Sequence, residues 1–115
     1  MKEGLTGNEI LSNSLSAARS AGLKPAIYTH PLGSYGHSAG TTIGMWDAQG
    51  GVMRDDGDTY TLHANTVYAI ELNTTVKLDQ WKRDIRVMLE EAGYFGPEGF
   101  RYVNGRQTSL HLIPR

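Results

Sequence analysis

An imidazole in a glycine-rich stretch and a carboxylate in an apolar, β-branched run are the residues of this sequence best suited to chemistry. His37 lies within Tyr28-Thr-His-Pro-Leu-Gly-Ser-Tyr-Gly-His-Ser-Ala-Gly40, and Glu71 within Tyr68-Ala-Ile-Glu-Leu72. A charged Glu buried unpaired in such a run is heavily penalised, so burial there requires a positive partner. A metal ion is the simplest candidate, because imidazole with carboxylates suits Zn, Mn, Co or Fe rather than a soft thiolate metal. His30, Asp84 and Glu90 are the other groups of suitable type around these segments.

The segments carry a resemblance. Gly36-His-Ser-Ala-Gly40 resembles the GHGIG motif of the pita-bread metallopeptidases, which include methionine aminopeptidase, Xaa-Pro aminopeptidase, prolidase and creatinase. Leu62-His-Ala-Asn-Thr-Val-Tyr-Ala-Ile-Glu71 resembles their LxxGMVFTIEP segment, with the Leu nine residues before the Glu in both. Lys82-Arg-Asp-Ile85 resembles their RIED motif more loosely: the family's ligand Glu stands about nine residues before a turn Gly, and Asp84 stands nine before Gly93. The three segments follow one another in the family's order.

The resemblance implies an α+β fold, the C-terminal half of a pita-bread domain, in which a curved antiparallel sheet carries helices on its outer face. It implies a fragment of a dinuclear-metal aminopeptidase that hydrolyses N-terminal bonds of short peptides, Xaa-Pro bonds among them, with two divalent ions of Mn, Co, Zn or Fe. His37, Glu71 and Asp84 would be metal ligands; Glu71 would also take a proton from water, and His30 would stand near the substrate. Glu90 competes with Asp84: spacing favours Asp84, whereas Glu90 has the family's side-chain length and lies on the same strand face. The family's paired Asp ligands precede the GHGIG segment, and none of the 36 residues before His37 is Asp. Residues 1–115 are therefore expected to be half of a catalytic domain and, alone, a very poor peptidase. The position of a second family His is Gly44, and Trp46 and Asp47 are expected beside the pocket instead.

The competing expectation is a non-catalytic pita-bread-like module or inert fragment that works through protein association. Uncovered strand edges and apolar patches associate, so a homo-oligomer or a missing N-terminal half is the expected partner. A formal net charge of -1 gives no general pull on nucleic acid or anionic lipid. The absence of Cys excludes disulfides and thiolate metal sites. No apolar run reaches the length of a membrane span and the start lacks a signal-peptide core, which leaves the compartment open.

The elements that must position these residues are locally marked. Thr6 and Glu9 can form a capping box, Leu5 and Ile10 a hydrophobic staple, and Gly22 a left-handed cap, which brackets a helix with Leu11, Leu15 and Ala18 on its apolar stripe. Ala26 to Thr29 and Thr66 to Val76 read as strands. Asp84 to Glu90 is a further strand whose parity sets Ile85, Val87 and Leu89 against a core and Asp84, Arg86, Met88 and Glu90 on the other face. Gly33 to Gly44 suits a backbone that passes close to a ligand or strand, and Gln49 to Asp58 reads as a loop whose Asp55-Asp56-Gly57-Asp58 is a solvated turn. Gly93 to Gly99 reads as a break, Thr108 to Ile113 as a closing strand, and His63 and His111 as surface residues.

Overall fold

The computed structural model describes residues 1–44 and 60–114; Trp46, Asp47 and the 49–58 loop lie outside the described residues. Helix α1 spans Gly7–Ser20 and begins with the expected capping box. The Glu9 backbone N–H donates to Thr6 Oγ1 at 3.2 Å, and Glu9 Oε2 accepts from the Thr6 backbone N–H at 2.8 Å and the Thr6 hydroxyl at 2.9 Å. These bonds satisfy N-terminal groups that have no partner inside the helix. The helix ends at Ala21, and Gly22 follows with φ +78°, a left-handed conformation that glycine adopts without a Cβ penalty.

Strands β1 (Lys24–Ile27), β2 (His30–Pro31), β3 (Thr66–Leu78), β4 (Arg83–Gly96) and β5 (Gly99–Tyr102) form one antiparallel sheet. β1 and β2 both pair with β3, which pairs with β4, and β4 pairs with β5. The architecture is α+β, one helix with a five-stranded open antiparallel sheet. β1 and β2 keep one register: Ile27 opposes Leu72 and His30 opposes Ala69, so Tyr28 and Thr29 interrupt a single line of pairing. The backbone N–H of Tyr28 still donates to the Glu71 carbonyl, at 2.9 Å.

The core gathers Ile10, Leu11 and Leu15 of the helix with Ile43, Leu62, Tyr68 and Phe95, and Leu5 packs against it. The helix stripe and its staple thus point where their spacing predicts. Gly44, with φ +79°, shows what the glycine-rich segment is for: a Cβ there would run into the Ile27 carbonyl and the Leu11 side chain. The chain passes close to a neighbouring strand at that point, as expected.

Three expectations are corrected. Gly93 is not in a break: β4 runs through it to Gly96, and the Phe100 ring of β5 fills the space its side chain would take. The β4–β5 turn lies at Pro97 and Glu98. Residues 108–113 form no strand, and Leu110, Leu112 and Ile113 are exposed. The apolar parity of β4 is present but largely uncovered, with Val87 39% and Leu89 50% exposed, because the core lies over the Tyr68–Phe95 end of the hairpin and stops short of the Leu78–Arg83 end. Among the described residues no helix is long and apolar enough to cross a membrane.

Removing the Thr6 hydroxyl by Thr6→Ala should cost about 1 kcal/mol in chemical denaturation at neutral pH. The Thr6 backbone N–H first, then its hydroxyl, hold the Glu9 carboxyl below its ordinary value of 4.5. A group with a lowered folded-state value stabilises fully above the unfolded one and loses that contribution as pH falls through the folded one. Wild type should therefore be more stable than Glu9→Gln at pH 7, and the gap should close as the pH drops below 4.5. A gap that widens in acid would show that the box contributes nothing through ionised Glu9.

Candidate functional site

Strand alternation and register decide which side chains share a face. Directly opposed residues of an antiparallel pair point to the same side of the sheet, with Cβ atoms about 5 Å apart. Glu71 of β3 opposes Glu90 of β4, Asn73 opposes Met88 and Thr75 opposes Arg86. Tyr28, Glu71, Asn73, Arg86, Met88 and Glu90 line one groove on this face. Arg86 Nε donates to Asn73 Oδ1 at 3.0 Å and draws the guanidinium stem across the hairpin.

His30 is buried, and its Nε2 lies 2.7 Å from Glu71 Oε1, while its Nδ1 lies 3.0 Å from the Pro31 carbonyl oxygen. Both oxygens are acceptors and a neutral ring has one N–H, so the tautomer decides which of them receives the donated hydrogen; the Nε2 contact to Glu71 is the shorter. The ring of His37 stacks on that of His30, with centroids 3.9 Å apart and planes 16° apart. The Tyr28 ring closes the cluster at 5.5 Å from His30 and 6.4 Å from His37. The glycine-rich segment thus carries the exposed His37 over the buried His30, and the chain itself supplies Glu71 with a hydrogen-bonding imidazole.

The structure brings His30, His37 and Glu71 together, and its register adds Glu90. It does not bring Asp84 to them. Asp84 opposes Lys77 near the hairpin end, six residues from Glu90, or about 20 Å along an extended strand. Among the described residues it forms an ion pair with Lys24, Nζ lying 3.9 Å from Oδ2, between two exposed side chains. The spacing that favoured Asp84 counted to Gly93 as a turn residue, and Gly93 lies inside the strand. The usable signal for Glu90 was its strand parity, but the register with β3 was needed to set it opposite Glu71. Sequence reasoning missed Glu91, whose Oε1 accepts the Gln107 backbone N–H at 2.6 Å and ties the C-terminal segment to β4.

Among the described residues no group of three or more His, Cys, Asp and Glu side chains is gathered so that it could hold a metal ion. The donor chemistry of His37, Glu71 and Glu90 suits a hard or borderline divalent cation, but their side chains are not drawn together as a ligand set. No protein-family model, curated protein or solved structure matches the chain in comparisons with known proteins.

The two carboxylates separate in a stability measurement. Glu71→Ala strands the buried His30 Nε2 and should cost about 1–3 kcal/mol. Asp84→Asn breaks only an exposed ion pair and should change stability by less than about 0.5 kcal/mol. Equal effects from the two substitutions in denaturant titration would contradict the assignment of Glu71 as the structural partner of His30.

Proposed function

We propose that this chain supplies the imidazole and paired-carboxylate side of a dinuclear-metal aminopeptidase site of pita-bread type, with His37, Glu71 and Glu90 as its metal-facing groups. The observation that carries the reading is Glu71 opposite Glu90 on a sheet face that α1 does not cover, beside two stacked imidazoles. Like charges directly opposed across a strand pair are destabilising, and a shared cation removes that cost. The order of the three resembling segments and the internal register of the first two agree with this reading, with Glu90 replacing the Asp84 that spacing favoured in the third.

In this reading His30 holds Glu71 in place through Nε2 and fixes which carboxylate oxygen remains for other partners. Glu90 presents its carboxylate from the neighbouring strand, and His37 lies at the solvent side of the cluster. A divalent ion held there would supply Lewis acidity toward a peptide carbonyl and toward water. The substrate class is the N-terminal bond of a short peptide. Because the paired Asp of the resembling family has no counterpart in this sequence, full activity would require those carboxylates from another polypeptide segment.

A second reading has its own support. With His30 Nε2 2.7 Å from Glu71 Oε1, the chain's own imidazole already occupies that carboxylate without a metal, as expected for a non-catalytic module that acts by association.

Metal titration separates the two. Calorimetry with Mn2+, Co2+ or Zn2+ should detect binding, and Mn2+ should broaden the NMR signals of residues 37, 71 and 90 first. Glu71→Gln and Glu90→Gln should each weaken binding by roughly tenfold or more, while Asp84→Asn leaves it unchanged. No binding at millimolar metal, or binding indifferent to both Glu substitutions, would establish the non-catalytic reading. Peptide hydrolysis by the chain alone should stay near background with any of these metals; robust chelator-sensitive release of N-terminal residues would overturn the half-site description.

A further inference from the structure

The outer edge of β4 is the largest unpaired run of sheet among the described residues. β5 pairs only with Gly93–Gly96, so residues 83–91 have β3 on one side and no described strand on the other. The segment after β5 bonds Glu91 through Gln107 and lines a cleft beside Glu90, which leaves 83–89 as the uncovered part. The Ala92 carbonyl accepts the Val103 N–H at 2.9 Å, which shows that Ala92 directs its hydrogen-bonding groups away from β3. Successive residues of a strand alternate in that direction, so Glu90, Met88, Arg86 and Asp84 present theirs to the open edge. The side chains along it are exposed, Met88 to 68% and Leu89 to 50%.

We propose that this edge binds the same edge of a second copy of the chain, antiparallel and about a two-fold axis through Met88, joining two sheets into one. Charge and the length of open strand together select that register. With Met88 opposite itself, Arg86 of each copy opposes Glu90 of the other, twice over, and Val87 opposes Leu89 on the opposite face. Both pairings are of kinds that stabilise a ladder. The neighbouring registers are worse. Centring on Val87 sets Asp84 against Glu90 and Arg83 against Glu91, so each attractive pair is offset by a repulsive one. Centring on Arg86 sets two guanidinium groups against each other. Charges on a strand edge ordinarily discourage pairing with other chains. Centring on Ile85 also sets Arg86 against Asp84 but pairs only residues 83–87 at the start of the strand. Centring on Leu89 sets Arg86 against Ala92, whose carbonyl Val103 already occupies. The Met88 register thus joins favourable charge pairs with the longer open run, and its contact is isologous and closed.

The dimer also completes the carboxylate face. Glu90 stands between Glu71 of its own chain and Arg86 of the second copy, so each copy supplies a cation to the other's like-charged pair. This inference is independent of the metal reading, since backbone edge and Arg86 carry it, and its test is run in excess chelator.

Sedimentation equilibrium at tens to hundreds of micromolar protein should give the mass of two chains. Arg86→Glu should raise the dissociation constant roughly tenfold or more, and the charge-exchanged Arg86→Glu/Glu90→Arg pair should recover most of the loss. Because the chain has no Cys, Met88→Cys offers a direct geometric readout. Opposed residues at the axis lie within disulfide reach, so mild oxidation should link two copies through that position. Asp84→Cys sits far from its own symmetry mate and should not link. A wild-type monomer throughout this range, including one whose Met88 amide is protected from exchange by a segment of its own chain, overturns the proposal. So does linkage as efficient at position 84 as at 88, or a dimer indifferent to Arg86→Glu.

Discussion

The antiparallel register of β3 against β4 is the constraint on which the rest of the structure depends. It runs unbroken from Thr66 opposite Phe95 to Leu78 opposite Arg83. Side chains alternate with a period of two, so a slip by one residue would send every group on this hairpin to the wrong face. In the observed register Tyr68 enters the core beneath α1, while Glu71, Asn73 and Thr75 share the other face with Glu90, Met88 and Arg86. The same register carries Asp84 away toward the hairpin end, where Lys82 turns the chain at φ 50°. A single alignment thus makes the core, assembles one carboxylate pair and dismantles another.

Within that frame the contact between His30 and Glu71 is the costliest to leave unmade. The imidazole is nearly inaccessible and both ring nitrogens face oxygen atoms. A neutral ring has one donor and one acceptor, so these two oxygens together constrain its tautomer and its orientation. Glu71 remains partly accessible, its side chain 31% exposed, which leaves it able to interact outward while His30 fixes it inward. The stacked His37 extends the same cluster to solvent. The glycine-rich segment before β3 earns its composition by bringing that backbone close enough for the two rings to meet.

The molecule is uneven along the hairpin. At the Tyr68–Phe95 end, helix, strands and the 41–44 segment enclose a core. Toward Leu78–Arg83 the sheet has solvent on Val76, Val87 and Met88. Among the described residues strand pairing alone holds that part, and a two-stranded ribbon is marginal without packing or additional strands. Uncovered apolar strand and an open row of backbone donors and acceptors occur at the same place, so one further strand laid on β4 would address both.

Some of this was legible in the residues alone. Thr6, Glu9 and Gly22 act within a turn of their own backbone, so the limits of α1 followed from local chemistry, and Leu11 and Leu15 identified its buried stripe. The alternation of Asp84 to Glu90 gave the strand and its two faces. What tertiary structure decided was everything carried by partners distant in sequence. His30 and Glu71 are 41 residues apart, and no local rule could pair them. Gly93 has the composition of a turn, but the Phe100 ring packed over it keeps it in the strand, which removed the spacing argument for Asp84. The Thr108–Ile113 segment has a strand's composition but pairs with no strand among the described residues, and an unpaired backbone gains nothing from being extended. Composition determined which residues were able to form helix, strand or site; the β3–β4 register, a property of two segments at once, decided which of them met.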